Sequence, residues 1–380
     1  MKNYFSDKKF IFGEERDTPF SQQNGIFQDG TTPMYRDIDG RLWAISGHSH
    51  CGHIGMFCGT DLHDLKEVYP ITTNFTVGKA GAAFNGIKYP DGIESRGSVW
   101  PFGLYICPKT HRFFVFFHNE TGWAGQGTAY DANGLCETPF LDSDFRHVGL
   151  MHSDDEGQTW DFDRWVLTAE TVSFTEKYNP NGDTVIGQKY GLVSMGAGDF
   201  SCYVEEEGDY IYLFYNVIKI DLNKKSHEAV DVYVARTRKR NDGVMGDFVK
   251  YYDGSFCEAG NFGKETPVVY GAWHAKVCKL KDDGIYMMSA SRVIPHSTYK
   301  PNDGSSIIER VIELRSSDDL IHWSEPVTVI KDGEKFGNHY CAFYSADSGD
   351  NTDVTGNRFV VQLNGNGTDV KAYDAELVKK

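Results

Sequence analysis

The chain has no apolar run approaching the roughly 20 residues that a membrane-spanning helix needs. Its opening, MKNYFSDKKFIFG, holds no continuous apolar core of the kind a leader peptide carries. These absences set the expectation of a protein with no membrane partner, cytoplasmic unless a leader has been removed and the chain is secreted. Positive charge is also short. Thirty-eight Lys and Arg face 54 Asp and Glu, a formal net charge of −16. Binding to nucleic acid or an anionic surface needs clustered Lys and Arg, so no nucleic acid is expected. The one basic stretch, Arg236 to Arg240, reads as a solvated turn. The eight cysteines form no CxxC pair, and Cys107, Cys202, Cys278 and Cys341 sit inside strand-like runs. A free thiol there packs as a small hydrophobe, which points to reduced thiols. Long amphipathic helical periods are missing as well.

What is abundant is glycine, 40 residues, and aromatic side chains, 14% of the chain. Both suit many short strands joined by tight turns. The stretch Met195 to Asn216, MGAGDFSCYVEEEGDYIYLFYN, shows the pattern. A glycine-flanked acid, Asp199, precedes a short strand, Ser201 to Val204, and an acidic turn leads into an aromatic strand, Tyr210 to Tyr215. Four other stretches repeat it, with turns at Asp37 to Gly40, Lys109 to Arg112, Asp282 to Gly284 and Asp347 to Gly356. No such unit buries its faces alone. The expected fold is all-β, a five-bladed β-propeller forming one domain over 1–380. Its blades fall near 26–67, 94–165, 195–252, 268–328 and 336–378, and either Val370 to Val378 or Phe10 to Phe12 closes the ring. Ser153 to Trp160, SDDEGQTW, fits the Asp-box pattern S-x-D-x-G-x-T-W, a structural turn found in propellers. The segments Asn119 to Asp144 and Glu170 to Leu192 do not fit the repeat and read as long loops over one face.

In a propeller the innermost strand of each blade meets the central channel, so the residues that open those strands gather at one mouth. Here they are Asp29, the segment Glu94 to Pro101 with Arg96 and Trp100, Asp199, Trp273-His274 and Asn338-His339. Carboxylates and imidazoles in one place suit glycoside hydrolysis, which needs a proton donor and a carboxylate that activates water or attacks. Trp100 and Trp273 are candidate stacking faces for a sugar. The cluster His48-Ser-His-Cys-Gly-His53 has no closed zinc spacing and is expected to form a loop lining the substrate site.

These motifs are similar to those of the five-bladed propeller glycosidases around glycoside hydrolase family 43, with relatives such as the family 117 anhydrogalactosidases. The resemblance is distant and covers roughly residues 26 to 366. Asp29 and the run Leu42-Trp43-Ala44-Ile45 resemble the family's first blade, Val99-Trp100-Pro101 its second-blade opening, and Gly198-Asp199-Phe200 the site of its donor-tuning acid. Gly337-Asn338-His339 resembles the channel histidine that helps hold a calcium ion through water. The resemblance thus implies Asp29 as base or nucleophile, Asp199 as the acid that tunes the donor, and a structural calcium near His339, with no other cofactor required. The family's proton donor is a Glu opening the fourth blade. This chain has Tyr270-Gly-Ala-Trp-His274 there, and no carboxylate closer than Glu265. The family 117 relatives use a histidine acid, so His274 takes the role, with Glu94 as the second candidate.

The expected partner is an oligosaccharide or glycoside, and a homo-oligomer is left open. Two rival readings stand beside this one. A sialidase-like hydrolase would clamp a carboxylate with three arginines, for which Arg96, Arg292 and Arg310 can be enlisted. A carbohydrate-binding propeller without catalysis would follow from the missing fourth-blade Glu.

Overall fold

The computed structural model describes residues 2–20, 29–48, 53–72, 84–85, 98–120, 146–168, 192–221, 224, 226–297, 308–347, 349, 353–364 and 370–380. Among these residues every regular element is a strand. In chain order, β1 (Lys8–Asp17) is followed by a first antiparallel group of β2 (Met34–Arg36), β3 (Leu42–His48), β4 (His53–Gly59) and β5 (Lys66–Thr72). The short β6 (Phe84–Asn85) pairs parallel with the edge of a second group: β7 (Ser98–Ile106), β8 (Phe113–Glu120), β9 (Arg146–Ser153) and β10 (Trp160–Thr168). A third group holds β11 (Leu192–Val204), β12 (Tyr210–Asp221), β13 (Ser226–Arg238), β14 (Val249–Tyr252) and β15 (Ser255–Ala259). The fourth has β16 (Ala272–Leu280), β17 (Ile285–Val293), β18 (Ile308–Ser317) and β19 (Val327–Thr328), followed by a separate ribbon of β20 (Ile330–Lys331) and β21 (Glu334–Lys335). The last is β22 (Tyr340–Ser345), β24 (Arg358–Asn364) and β25 (Val370–Lys379), while the short β23 (Asp353–Val354) pairs with β16.

β1 adds outside β25, register Lys8↔Lys379 to Asp17↔Lys371, so both chain ends share one sheet. The sequence offered either end as the closing strand, and both take part. The turns expected at Asp37 to Gly40, Lys109 to Arg112 and Asp282 to Gly284 fall there, Asp and Gly accepting the tight backbone in the first and last of these. Of Asp347 to Gly356, residues 348 and 350–352 lie outside the described ones and Asp353–Val354 forms β23. Hydrogen bonding does not separate all the groups, however. The second and third form one ten-stranded sheet through a single parallel pair, Gly196↔Arg146.

Apolar packing joins the groups in series. One hydrophobic cluster joins β3 and β4 to β7–β9 through Trp43, Ile45, Leu104 and Met151. A second joins β7–β9 to β11–β13 through Phe102, Phe116, Phe200 and Leu213. The third group meets the fourth through Phe214, Val232, Val277 and Met288. The fourth meets the last through Cys278, Leu314, Phe343 and Val361. The last returns to the first through Tyr344, Val360, Leu42 and Phe57. Cys202, Cys278 and Cys341 lie inside these clusters as free thiols. Alternating apolar side chains on both faces of each sheet explain why no group stands alone.

The Asp-box turn forms as its sequence implies. Asp155 Oδ1 accepts from the backbone of Gln158 and Thr159 at 3.1 and 2.9 Å, and Trp160 Nε1 donates to Gly157 O at 3.0 Å. A second copy at Ser317–Trp323 was not legible as one. There Asp319 accepts from Ile321 and His322, and Trp323 donates to Leu320 O. Leu320 takes the left-handed φ of +68° where the first copy has glycine at +87°.

The structure corrects one local expectation. Asp199 does not stand where a strand begins; β11 starts at Leu192 and runs through it. The ladder slips between Gly198 and Ser201, and β7 and β16 slip likewise after Pro101 and Trp273. Such bulges re-aim a side chain without ending the strand. Of the long segments, Asn119 and Glu120 complete β8 and Leu192 opens β11; residues 121–145 and 169–191 lie outside the described ones.

Gly196 is required at the seam. Its φ is +95°, and a Cβ there would lie 2.1 Å from Arg146 O. Gly196→Ala is expected to lower stability by about 1–3 kcal/mol from the backbone conformation alone, with the steric clash adding to it. Urea unfolding monitored by tryptophan fluorescence checks this.

Candidate active site

The three bulges bring the inner ends of β7, β11 and β16 toward the start of β22 and the loop before β2. Asp199 is 7% exposed and sits at a left-handed φ of +44°. His274, 4% exposed, also has a left-handed φ, +56°. Inside strands, a non-glycine residue in that conformation is strained by about 1–3 kcal/mol and is held by its surroundings. What holds Asp199 is explicit. Arg146 Nη1 donates to its Oδ2 at 2.6 Å, Trp273 Nε1 donates to the same oxygen at 2.9 Å, and its own N–H donates to His118 Nδ1 at 2.9 Å. For His274 the holder is Asn216, whose Oδ1 accepts the His274 N–H at 2.9 Å. The Asn216 amide donates to Asp231 O and Ala272 O, both at 2.9 Å, so β12 fixes the bulge in β16.

The imidazole of His274 is packed between Trp273 (ring centroids 4.5 Å), Tyr340 (3.9 Å) and His339 (4.7 Å). Its Nδ1 lies 3.2 Å from the carbonyl oxygen of His339. A carbonyl only accepts, so Nδ1 carries the proton and Nε2 is left facing Asp199 Oδ1 at 3.8 Å. Asp29 lies beside Tyr340 and His339.

Electrostatics drive the two carboxylates apart. Burial pushes the Asp29 carboxyl above its ordinary 3.8, and the Asp199 charge adds to this; His339 and a hydrogen bond from Tyr340 offset only part. Burial acts the same way on Asp199, but the Arg146 guanidinium, the His118 and His274 imidazoles and the Trp273 hydrogen bond together outweigh it and hold that carboxyl well below the ordinary range. Burial also pushes His274 well below 6.5, against the pull of Asp199. One carboxylate is tuned toward basicity and its neighbour is kept ionised.

The other sequence candidates are placed as follows. Trp100 is 3% exposed, stacked on His48 at 5.3 Å, and Trp273 is 5% exposed and stacked on His274. These rings wall the site instead of offering open faces to a sugar, because the imidazoles already cover them. Arg292 is engaged within its own sheet, with Glu313 at 2.5 Å, Glu309 at 2.8 Å and Thr328 Oγ1 at 2.9 Å, and Arg310 is exposed. Glu265, the nearest carboxylate to the fourth opening, is taken by buried Lys250 and by the Tyr215 hydroxyl, each at 2.8 Å. His53 lies in β4 opposite His48; its side chain, with Glu94, Arg96 and 49–52, lies outside the described ones.

Sequence reasoning missed His118, Glu120, Arg146, Asn216 and Tyr340. A faint signal exists in three of these. His118-Asn-Glu120 ends an otherwise aromatic strand, and Arg146 opens an apolar one.

At Arg146 a resident cation finds little to hold it. His118, Glu120 and Asp199 bring ligand atoms within 4.8 Å of one another, but Arg146 already bridges the two carboxylates. Near His339 the described oxygens include the Asp29 carboxylate, the Ser291 hydroxyl, the Asn338 amide oxygen and the carbonyls of Asn338 and His339. Calcium takes six to eight oxygens, and an ion held there through water would draw on this set.

No family model and no curated protein matches the sequence. Among solved structures it is similar to a family 117 glycoside hydrolase from the marine bacterium Zobellia galactanivorans. The TM-score is 0.52 at 12% identity, over 99% of this chain and 92% of that one. The chain has that enzyme's fold. Looser similarity links it to an exo-β-1,3-galactanase from Phanerochaete chrysosporium (TM-score 0.49, 9% identity, 95% of this chain, 64% of that one). An α-L-arabinofuranosidase from Lactobacillus brevis also aligns (TM-score 0.45, 13% identity, 92% and 91%). The resemblance to the family 117 glycoside hydrolase is therefore distant and lies in the fold.

Asp199→Asn removes the charge that adds to the burial effect on Asp29. The titration midpoint of Asp29, followed by carboxyl ¹³C NMR, is expected to move down toward 3.8. An unmoved midpoint contradicts this coupling.

Proposed function

We propose that the chain is a single five-bladed β-propeller acting as a glycoside hydrolase on an oligosaccharide or glycoside, with Asp29 as base and His274 as proton donor. Five antiparallel groups, each packed on the next with the last returned to the first, support the blade count. The observation that carries the activity is a pair of carboxylates, Asp29 and Asp199, near enough for each charge to act on the other, with the His274 imidazole 3.8 Å from Asp199.

In this reading Asp29, made more basic by burial, takes a proton from water or attacks the anomeric carbon. His274, protonated on Nε2, gives its proton to the leaving oxygen. Asp199 stabilises the imidazolium while Arg146 keeps it ionised. Carboxylates at the site also set it against strongly anionic sugars. The described arginines do not favour the sialidase-like alternative, since Arg292 is committed elsewhere.

The protonation states confine the activity. Asp29 must be ionised, and its midpoint lies above 3.8; His274 must be protonated, and its midpoint lies below 6.5. Rate therefore rises with pH through the Asp29 limb and falls again before 6.5. The expected profile is a narrow, acidic bell.

The test is a panel of aryl glycosides and oligosaccharides assayed between pH 4 and 6, a window taken from the ordinary carboxylate and imidazole values of about 4 and 6.5. Asp29→Asn is expected to reduce turnover at least about a hundredfold, the scale of a lost general base, with Tm unchanged. Normal turnover in that variant sinks the assignment. Binding without product release in the wild type favours a carbohydrate-binding protein instead.

A further inference from the structure

Glu120 lies at the end of β8, 6% exposed, and touches neither Asp29 nor His274 in the described contacts. Its Oε1 is 2.5 Å from Arg146 Nη2, while Nη1 of the same guanidinium is 2.6 Å from Asp199 Oδ2. Two buried carboxylates thus share the two arms of one cation. In a water-poor interior each charge acts on its neighbours far more strongly than in solvent, so the division matters to the site.

His118 also lies against Asp199, its Nδ1 3.5 Å from Oδ1, and acts with Arg146 on that carboxylate. Its Nδ1 accepts the Asp199 backbone N–H at 2.9 Å, which leaves no proton on that nitrogen. Its Nε2 faces Glu120 Oε1 at 3.4 Å and has no formed hydrogen bond. The imidazole therefore fixes the Asp199 backbone in its left-handed conformation and presents its second nitrogen toward Glu120.

We infer that Glu120 is a positioning residue that divides Arg146 between two carboxylates, leaving Asp199 with negative charge that selects a cationic sugar centre. The ligand class is a ring carrying positive charge, either the oxocarbenium-like centre of glycoside cleavage or a protonated iminosugar. The inference rests on the glycosidase reading for its ligand but not for its electrostatics. With Glu120 neutral, Arg146 loses one of the two carboxylates it bridges, its charge falls more fully on Asp199, and the negative charge offered to the site falls.

Two measurements on the full chain, wild type and Glu120→Gln, test this, with Tm confirming that the variant folds. In the first, binding of a panel of protonated iminosugars is compared by calorimetry with binding of the neutral sugars of matching configuration. Iminosugar affinity is expected to fall at least tenfold, and neutral-sugar affinity to change less than twofold. Equal losses for both, or no loss for either, overturn the inference.

The second measurement follows the imidazole of His274 by ¹⁵N NMR and does not depend on any sugar. His274 is faced by Asp199 from β11 with Arg146 behind it on β9, by His339 just before β22 and Tyr340 at its start, and by Trp273 on its own strand. Since Asp199 favours the imidazolium and Arg146 opposes it, Glu120→Gln is expected to move His274 protonation to lower pH. An unmoved titration in a folded variant overturns the inference. If the wild type binds no sugar and no iminosugar, the glycosidase reading fails, while the His274 titration still decides the role of Glu120.

Discussion

The guanidinium of Arg146 is the interaction on which the site depends. Without it, Asp199 and Glu120 would be two ionised carboxylates buried with no counter-charge, a situation that costs several kcal/mol per ion. With it, Asp199 stays ionised in a place where burial alone would protonate it. Everything else near Asp199 follows from that fixed charge: the Trp273 indole donates to it, His274 turns Nε2 toward it, and Asp29 is pushed toward higher basicity by it. The pair with Arg146 also joins two strand groups, since Arg146 belongs to β9 and Asp199 to β11. That bridge is what the close approach at Gly196 permits.

Strain is concentrated in the same region. Most left-handed non-glycine residues here sit in turns, where Asp and His are tolerated, but Asp199 and His274 lie inside strands. Each is pinned through its own backbone N–H, by His118 and by Asn216 respectively. A bulged strand so held presents its side chain inward at an angle that regular pleating does not allow. Preorganisation of this kind is useful to chemistry in which charge develops at one fixed point.

Much of the architecture could be read from the residues. Asp-Gly turns and aromatic strands marked out the hairpins, and the first Asp box was legible because Gly157 and Trp160 occupy its fixed positions. Its counterpart at Ser317–Trp323 was hidden, since Leu320 stands where the first copy has glycine, held by the surrounding hydrogen bonds and by burial of its side chain. Asp199 and His274 were legible as candidates, although the bulges that aim them were not. Trp100 and Trp273 were recognised as belonging to the site but not as its walls, because stacking partners such as His48 come from other strands.

By itself the sequence determined a strand-built chain, without helical periodicity, with its turns in place and its chemistry gathered on residues near the start of inner strands. Those properties are local, set by side-chain period and turn preference. Only the tertiary structure decided which charges meet. Arg146 is 53 residues from Asp199, Asn216 is 58 from His274, and Lys250 removes Glu265 from consideration. The ionisation of a buried carboxylate depends on neighbours brought from distant strands, and no spacing along the chain encodes them.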